Sequence, residues 1–306
     1  MLLSLFQTAF ELGLLCALTT LALFLSYRML NVCDLSTDGC FTLGAVVGAV
    51  VAIAGHPGLS LLAAMGAGVC SGFVVAFLQT RCGLNSLLAG IVVNTGLYSV
   101  NIALMGGASM LNMNRTETVF TLTKGLLAGT ALSEQYRLLT ALFFVALVLT
   151  ALLLFLRTRL GLAIRATGDT PDCVRSSSIN PAFTTTVGLC VSNAFTALSG
   201  CLLAQSQKAV DVNLGSGMVT IALASLLIGG SFVRRGGMTV RALGAVAGAI
   251  LFRLIYALAL RLHMPAFVLK LVSSVIVALA LALPYIRSQI PLWRRQREHR
   301  RGKAKC

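Results

Sequence analysis

Long apolar runs separated by short polar breaks organise this chain. A helix needs about 20 apolar residues to cross a ~30 Å hydrocarbon core. On that criterion the pattern predicts nine spans, at about 9–27, 39–55, 59–79, 86–105, 137–156, 183–204, 217–233, 238–260 and 266–286. None of these runs alternates with the two-residue period of a barrel strand. The expected fold is all-α, a polytopic transmembrane helical bundle of about 8–10 spans. His56-Pro57-Gly58 reads as a tight turn between the second and third spans, and 106–136 as the largest loop on that side. The 217–233 run is short and glycine-interrupted ahead of Arg234-Arg235-Gly236-Gly237, so a re-entrant segment competes there with a full crossing. A weak internal repeat is also visible, because LGAVVGAV at 43–50 echoes LGAVAGAI at 243–250. Such echoes arise from duplicated transporter halves, and equally from small residues that let helices pack closely.

Composition agrees with the spans. The 306 residues are 57% hydrophobic and 11% charged, with mean hydropathy +0.90, whereas soluble chains carry about 25% charged residues. The net charge of +15 suggests nucleic acid until the positions are plotted. Arg28, Arg81, Arg157, Arg159, Arg165, Arg175, Arg234, Arg235, Arg241, Arg287 and all the basic residues of the 291–306 tail fall on one side of the predicted spans. Arg115, Lys124, Arg137, Lys208, Arg253, Arg261 and Lys270 make up the remainder. That asymmetry is the positive-inside pattern, so the charge is read as orientation, with the tail near anionic headgroups and no nucleic-acid partner. Nine crossings with a cytoplasmic C-terminus put the N-terminus outside. Residues 1–27 are expected to be a first span rather than a removed signal peptide. The nine cysteines are scattered through spans and the basic side with no CxxC or Cys/His spacing, so neither a disulfide framework nor a metal is expected.

The polar residues inside spans are few. Asn94, Tyr98 and Asn101 recur at i, i+4, i+7 on the fourth span, and Ser192, Thr196 and Ser199 on the sixth, with Asn193 beside them. Polar groups avoid lipid, so both faces should turn inward, either lining a solute path or hydrogen-bonding between helices. Arg253 lies well inside the eighth span; facing the bundle it could meet an anionic group such as a substrate carboxylate, facing lipid it would snorkel outward, and snorkelling is the favoured expectation. Glu11 is expected at the interface. His56, His263 and His299 sit in loops or the tail without a nucleophile beside them, so no enzymatic constellation and no cofactor is expected.

The polar break at 157–181, RTRLGLAIRATGDTPDCVRSSSINP, has its own helix signals. Thr170 can cap, Pro171 suits the first turn and Asp172 complements the positive dipole end. These predict a helix from Pro171 to about Ser178, stopped before Asn180-Pro181. About eight residues do not hold a helix unaided in water. A partner's groove would support it; the alternative is a solvated connector on the membrane surface.

Several segments together resemble the permease subunits of ATP-binding-cassette importers of the branched-chain amino acid and monosaccharide type, nearest their tryptophan/tyrosine-type subgroup. They are DLSTDG at 34–39 with FTLG at 41–44, GLNSLLAGI at 83–91 with LYSVN at 97–101, GLAIRATGD at 161–169 with INP at 179–181, and LIGGS at 227–231 ahead of Gly236-Gly237. The resemblance spans about 11–260. It implies a transmembrane permease domain over 1–290, with a coupling segment at about 157–182, followed by a basic cytoplasmic tail over 291–306. It further implies a multi-pass protein of the bacterial inner membrane, a second permease copy, cytoplasmic ATPase subunits and an extracytoplasmic solute-binding protein. The chain lacks a GxxxxGK[ST] phosphate loop, so ATP would be hydrolysed by the partner. Under the resemblance, Asp169, Thr170, Pro171, Asp172, Cys173, Val174 and Arg175 would meet the ATPase. Asn94, Tyr98, Asn101, Ser192, Asn193 and Thr196 would line the path of a small, amino-acid-like solute. The competing class is an ion-coupled secondary transporter, which needs intramembrane carboxylates that the spans do not display. The sequence departs from the subgroup in Cys33, Cys40 and Cys173, and in the 107–115 segment, which bears on solute and binding-protein recognition.

Overall fold

Among the described residues, six helices are long and apolar enough to cross a bilayer, and two further apolar helices are shorter. The computed structural model describes residues 2–126, 135–232, 237–261, 271, 274, 275, 277 and 278. In chain order the long helices are α1 (Leu2–Leu23, prolonged by a π-helical turn Phe24–Met29), α3 (Pro57–Thr80), α4 (Ser86–Leu104), α6 (Tyr136–Arg157), α9 (Pro181–Gln207) and α11 (Met238–Arg261). The short apolar ones are α2 (Thr37–Ile53) and α10 (Met218–Phe232). Three small helices complete the set: α5 (Val119–Leu126), α7 (Arg159–Asp169) and α8 (Pro171–Ser176). The predicted polytopic bundle is therefore the observed architecture. Most of the predicted ninth span, the tail and the Arg234-Arg235 pair lie outside the described residues.

Helix ends follow local chemistry. Pro57 and Pro181 open α3 and α9 in the first turn, where a missing N–H costs nothing. Asn85 and Asn180 cap α4 and α9 by accepting from Leu87 N and Ala182 N.

The central helix is α9, flanked by α1, α2 and α3. Lipid gives helices no hydrophobic reason to associate, so close backbone packing and interhelical hydrogen bonds must do it. Gly44 and Gly48 of α2 lie against Ala197 and Cys201, where a Cβ on either glycine would collide with α9. Ser199 donates to Leu15 O at 2.7 Å and accepts from Thr19 Oγ1 at 2.9 Å, joining α9 to α1. Gln205 Nε2 donates to Ser60 Oγ of α3 at 2.7 Å. The second copy of the sequence echo plays the same part elsewhere, with Gly244 and Gly248 of α11 packed on Gly229 and Ser225 of α10. The echo thus marks two close helix crossings.

The second and seventh predicted spans are the two shorter helices, α2 and α10. At about 1.5 Å per residue, α9 is about 40 Å long, α2 about 25 Å and α10 about 22 Å. Asp34, just before α2, bonds to Asn193, which lies about 18 Å along α9. So α2 begins near mid-height and runs towards the end where α3 starts. The first turn of α10 is bonded to Asp38 of α2, and α10 runs the other way, towards the start of α11. Each short helix is completed by an irregular stretch, 30–36 before α2 and 212–217 before α10. Broken crossings of this kind are tolerated where protein surrounds the exposed backbone groups.

At the end remote from the arginine-rich connectors, β1 (Met110–Asn112) and β2 (Ala209–Asp211) pair antiparallel with Leu111 opposite Val210. Val210 and Met113 are buried over Ala49 and Ala52 of α2. The sequence reading gave this stretch as loop, because three-residue strands carry no legible period.

Candidate functional site

Two regions gather the residues with chemistry. The first is the mid-height junction where α2 and α10 begin. Asp38 Oδ2 accepts from Gly217 N at 2.9 Å and Oδ1 from Val219 N at 2.8 Å. One carboxylate thereby receives the positive end of α10 while sitting in the first turn of α2, where negative charge is also favoured. Thr42 Oγ1 accepts from Gly215 N at 3.0 Å, one turn further along α2. Asp34, 1% exposed, accepts from Ser36 N through Oδ1 at 2.8 Å and from Asn193 Nδ2 through Oδ2 at 2.9 Å. The DLSTDG segment therefore pins three elements together: the connector after α1, the middle of α9 and the start of α10.

The fourth-span face points at this junction in part. Asn101 Nδ2 donates to Gly39 O at 3.4 Å, and Asn94 Oδ1 lies so close to Gly39 that a side chain there would strike it. Tyr98 does not join them and is 49% exposed on the outside of the bundle. Asn193 and Asn101 are fully buried, and their Oδ1 atoms have no hydrogen-bond partner among the described residues. The junction so keeps acceptor capacity suited to an ammonium or hydroxyl donor.

The sixth-span residues are engaged within the bundle. Ser192 Oγ donates to Ala22 O of α1 at 2.8 Å, and Thr196 Oγ1 to Ser192 O at 3.1 Å, both buried. Interhelical hydrogen bonding, one of the two readings of that face, is what Ser192 and Asn193 display. Arg253 departs from the snorkelling expectation. Its Nη2 reaches Cys16 Sγ of α1 at 2.9 Å, and its guanidinium lies 5.8 Å from the Tyr256 ring, so it turns into the bundle.

The second region is the 157–181 break. It holds two helices where the sequence suggested one. Thr158 caps α7 by accepting from Gly161 N, and Gly161, Ile164 and Thr167 face the bundle. Gly168 brings α7 onto the carbonyl of Met29, leaving no room for a Cβ. Thr167 Oγ1 and Thr184 Oγ1 share a hydrogen bond at 2.8 Å, tying α7 to the first turn of α9. The amphipathic spacing of Gly161, Ile164 and Thr167 was the available signal for this helix.

After α7, Thr170 turns the chain into α8 without a side-chain cap bond. Part of its support comes from the chain itself, since Val174 is buried where α8 packs on α7 and α9. The opposite face is open: Asp172 and Arg175, 92% and 69% exposed, form an i,i+3 pair at 3.3 Å. The helix ends at Ser176, and Ser178 takes a left-handed turn (φ 59°) before Asn180.

With this geometry in place, comparison with known proteins is informative. Residues 6–286 match the family model described as branched-chain amino acid transport system / permease component. A tyrosine transport system permease protein of Clostridioides difficile is 30% identical over 271 residues, covering 88% of each chain. An uncharacterized Rickettsia prowazekii protein, RP368, is 32% identical over 226 residues, 72% of this chain and 75% of its own. The galactose/methyl galactoside import permease protein MglC of Salmonella typhimurium is 28% identical over 197 residues, 64% of this chain and 56% of its own. No solved structure matches the chain significantly. A multi-pass bundle with short helices meeting at mid-height, matched over nearly its whole length, belongs to the branched-chain amino acid transport system permease family.

Proposed function

We propose that this chain is the translocation subunit of an ATP-driven importer for a small, amino-acid-like solute. The carrying observation is the short helix α8, seated on the bundle by Val174 and presenting the exposed Asp172–Arg175 pair at the basic end. In this reading that end is cytoplasmic and Asp169 to Arg175 engage a separate ATPase, which supplies the energy. A second copy of the chain completes the path. The exposed face of α4, including Tyr98, faces that copy, and Asn94 and Asn101 connect it to the mid-height junction. A solute-binding protein docks at the opposite end, where Arg115, Glu117 and Lys208 surround a cavity of about 270 Å³. An amino-acid-like cargo is supported by the tyrosine permease similarity and by the two unpaired buried amide oxygens.

The test is to purify tagged chain from mild detergent with whatever subunits accompany it, then reconstitute the complex in vesicles. Uptake of tyrosine and related amino acids should require ATP hydrolysis. It should fall in Asp172→Ala/Arg175→Ala while the amount of folded protein stays level. Uptake that continues without ATP and collapses with an ionophore would replace this reading with an ion-gradient carrier.

A further inference from the structure

At the basic end, the π-turn of α1, helix α7 and the start of α11 enclose a cavity of about 580 Å³. Arg28, Arg165 and Arg241 line it, together with Tyr27, Asn31 and Asp169. Three guanidinium groups face one carboxylate, leaving two net positive charges. Among the described residues none of the three arginines has a carboxylate within 4.0 Å, the sole ion pair being Arg175–Asp172. Guanidinium groups held together without counter-charges repel one another, and a planar fork of donors suits phosphate oxygens.

The walls are fixed. The contact of Gly168 on Met29 O sets the spacing of α7 from α1, and with it that of Arg165 from Arg28. Asn31, in a left-handed turn (φ 56°), lines it as well. The volume is within the roughly 300–1,000 Å³ of small-ligand sites.

The position selects the occupant. The cavity opens where two membrane-crossing helices, α1 and α11, end and begin, which is the level of lipid headgroups. Beside it α7 exposes Leu160 and Leu162 while burying Ile164, the character of a helix lying in the interfacial plane. Tyr27, part-exposed at the same level, is an interfacial anchor type. Basic recesses between helix ends hold acidic lipid headgroups in other membrane proteins.

We propose that this cavity binds the phosphate headgroup of an acidic phospholipid from the surrounding leaflet. The lipid offsets the three arginines and joins α7 to α1 and α11. The proposal stands on the bilayer-spanning fold and does not depend on the transport reading.

Native mass spectrometry of the full chain tests it, with phosphatidylglycerol or phosphatidylcholine added in graded amounts. Phosphatidylglycerol should be retained preferentially. Each of Arg28→Gln, Arg165→Gln and Arg241→Gln should weaken that preference about fivefold, and the triple variant should abolish it. Arg175→Gln, outside the cavity, should leave it unchanged. The triple Arg→Lys variant keeps the charge but loses the planar donor forks, so it should keep a weakened preference, which protects the test if the Gln triple fails to fold. Equal retention of both lipids, or a preference untouched by the Gln variants, would overturn the proposal. So would binding of inorganic phosphate with the same arginine dependence but no lipid preference, which would make the cavity a site for soluble anions.

Discussion

Removing the Asp38 carboxylate should destabilise the bundle. Asp38→Ala leaves the N–H groups of Gly217 and Val219 without their acceptor. Hydrogen bonds to a charged group contribute about 1.5–3 kcal/mol each, and loss of an N-terminal cap costs about 0.5–2 kcal/mol. Both hydrogen bonds are part-buried, so replacement by solvent is partial and a net loss of about 2–4 kcal/mol is expected. At about 2–4 °C per kcal/mol this lowers the melting temperature by roughly 4–16 °C. Asp38→Asn keeps one acceptor but points an amide donor at a backbone donor, so it should lie between the two. The assay is thermal unfolding of purified protein in one detergent, with cysteine accessibility at an introduced Ser216→Cys as a local report. Ser216→Cys should become more reactive in the Asp38→Ala background. If Asp38→Ala melts within 1 °C of its parent and Ser216→Cys labelling is unchanged, the account of two helix starts held by one carboxylate is wrong.

Other outcomes follow from the same geometry. Gly44→Ala should destabilise by about 1–3 kcal/mol through overpacking against Ala197, whereas Gly66→Ala, which meets nothing within 4 Å, should be neutral or stabilise slightly; thermal melts of the two variants side by side check this. Asp172→Ala should shift stability by less than about 0.5 kcal/mol, because its ion pair is exposed, while ATP-dependent uptake falls. Cys82, exposed after α3 at the basic end, should react with a membrane-impermeant maleimide only in inside-out vesicles. Labelling in right-side-out cells would reverse the proposed orientation.

Much of the fold could be read from the chain because lipid imposes a crude requirement: a run of apolar residues long enough to cross. Span lengths, the Pro57 and Pro181 helix starts and the short helix at Pro171 all follow from local rules. The mid-height start of α2 did not, because a run of apolar residues looks the same whether it begins at a headgroup or halfway down. For the site, the recurrence of Asn94 and Asn101 correctly indicated an inward face. Tyr98, at the edge of that stripe, went outward because α4 packs chiefly on α2 and α3 among the described residues. Asp34 and Asp38 were visible only as part of a family motif. Their partners, Asn193 and the Gly217–Val219 backbone, are more than 150 positions away, and no spacing rule reaches that far. Arg253 misled for a related reason, since snorkelling reasoning considers one helix and Cys16 belongs to another.

The β1–β2 ribbon has a mechanical consequence. It ties the segment leaving α4 to the segment leaving α9, while the opposite tip of α9 follows α8 after only a few residues. Any shift of α9 along its own axis is therefore delivered to the far mouth of the bundle as a pull on α4. Such a shift would run about 40 Å from Pro181 to Val210, and it would have to carry along or break the close contacts of α9 with Gly44 and Gly48 of α2 and the Ser199 bonds to α1.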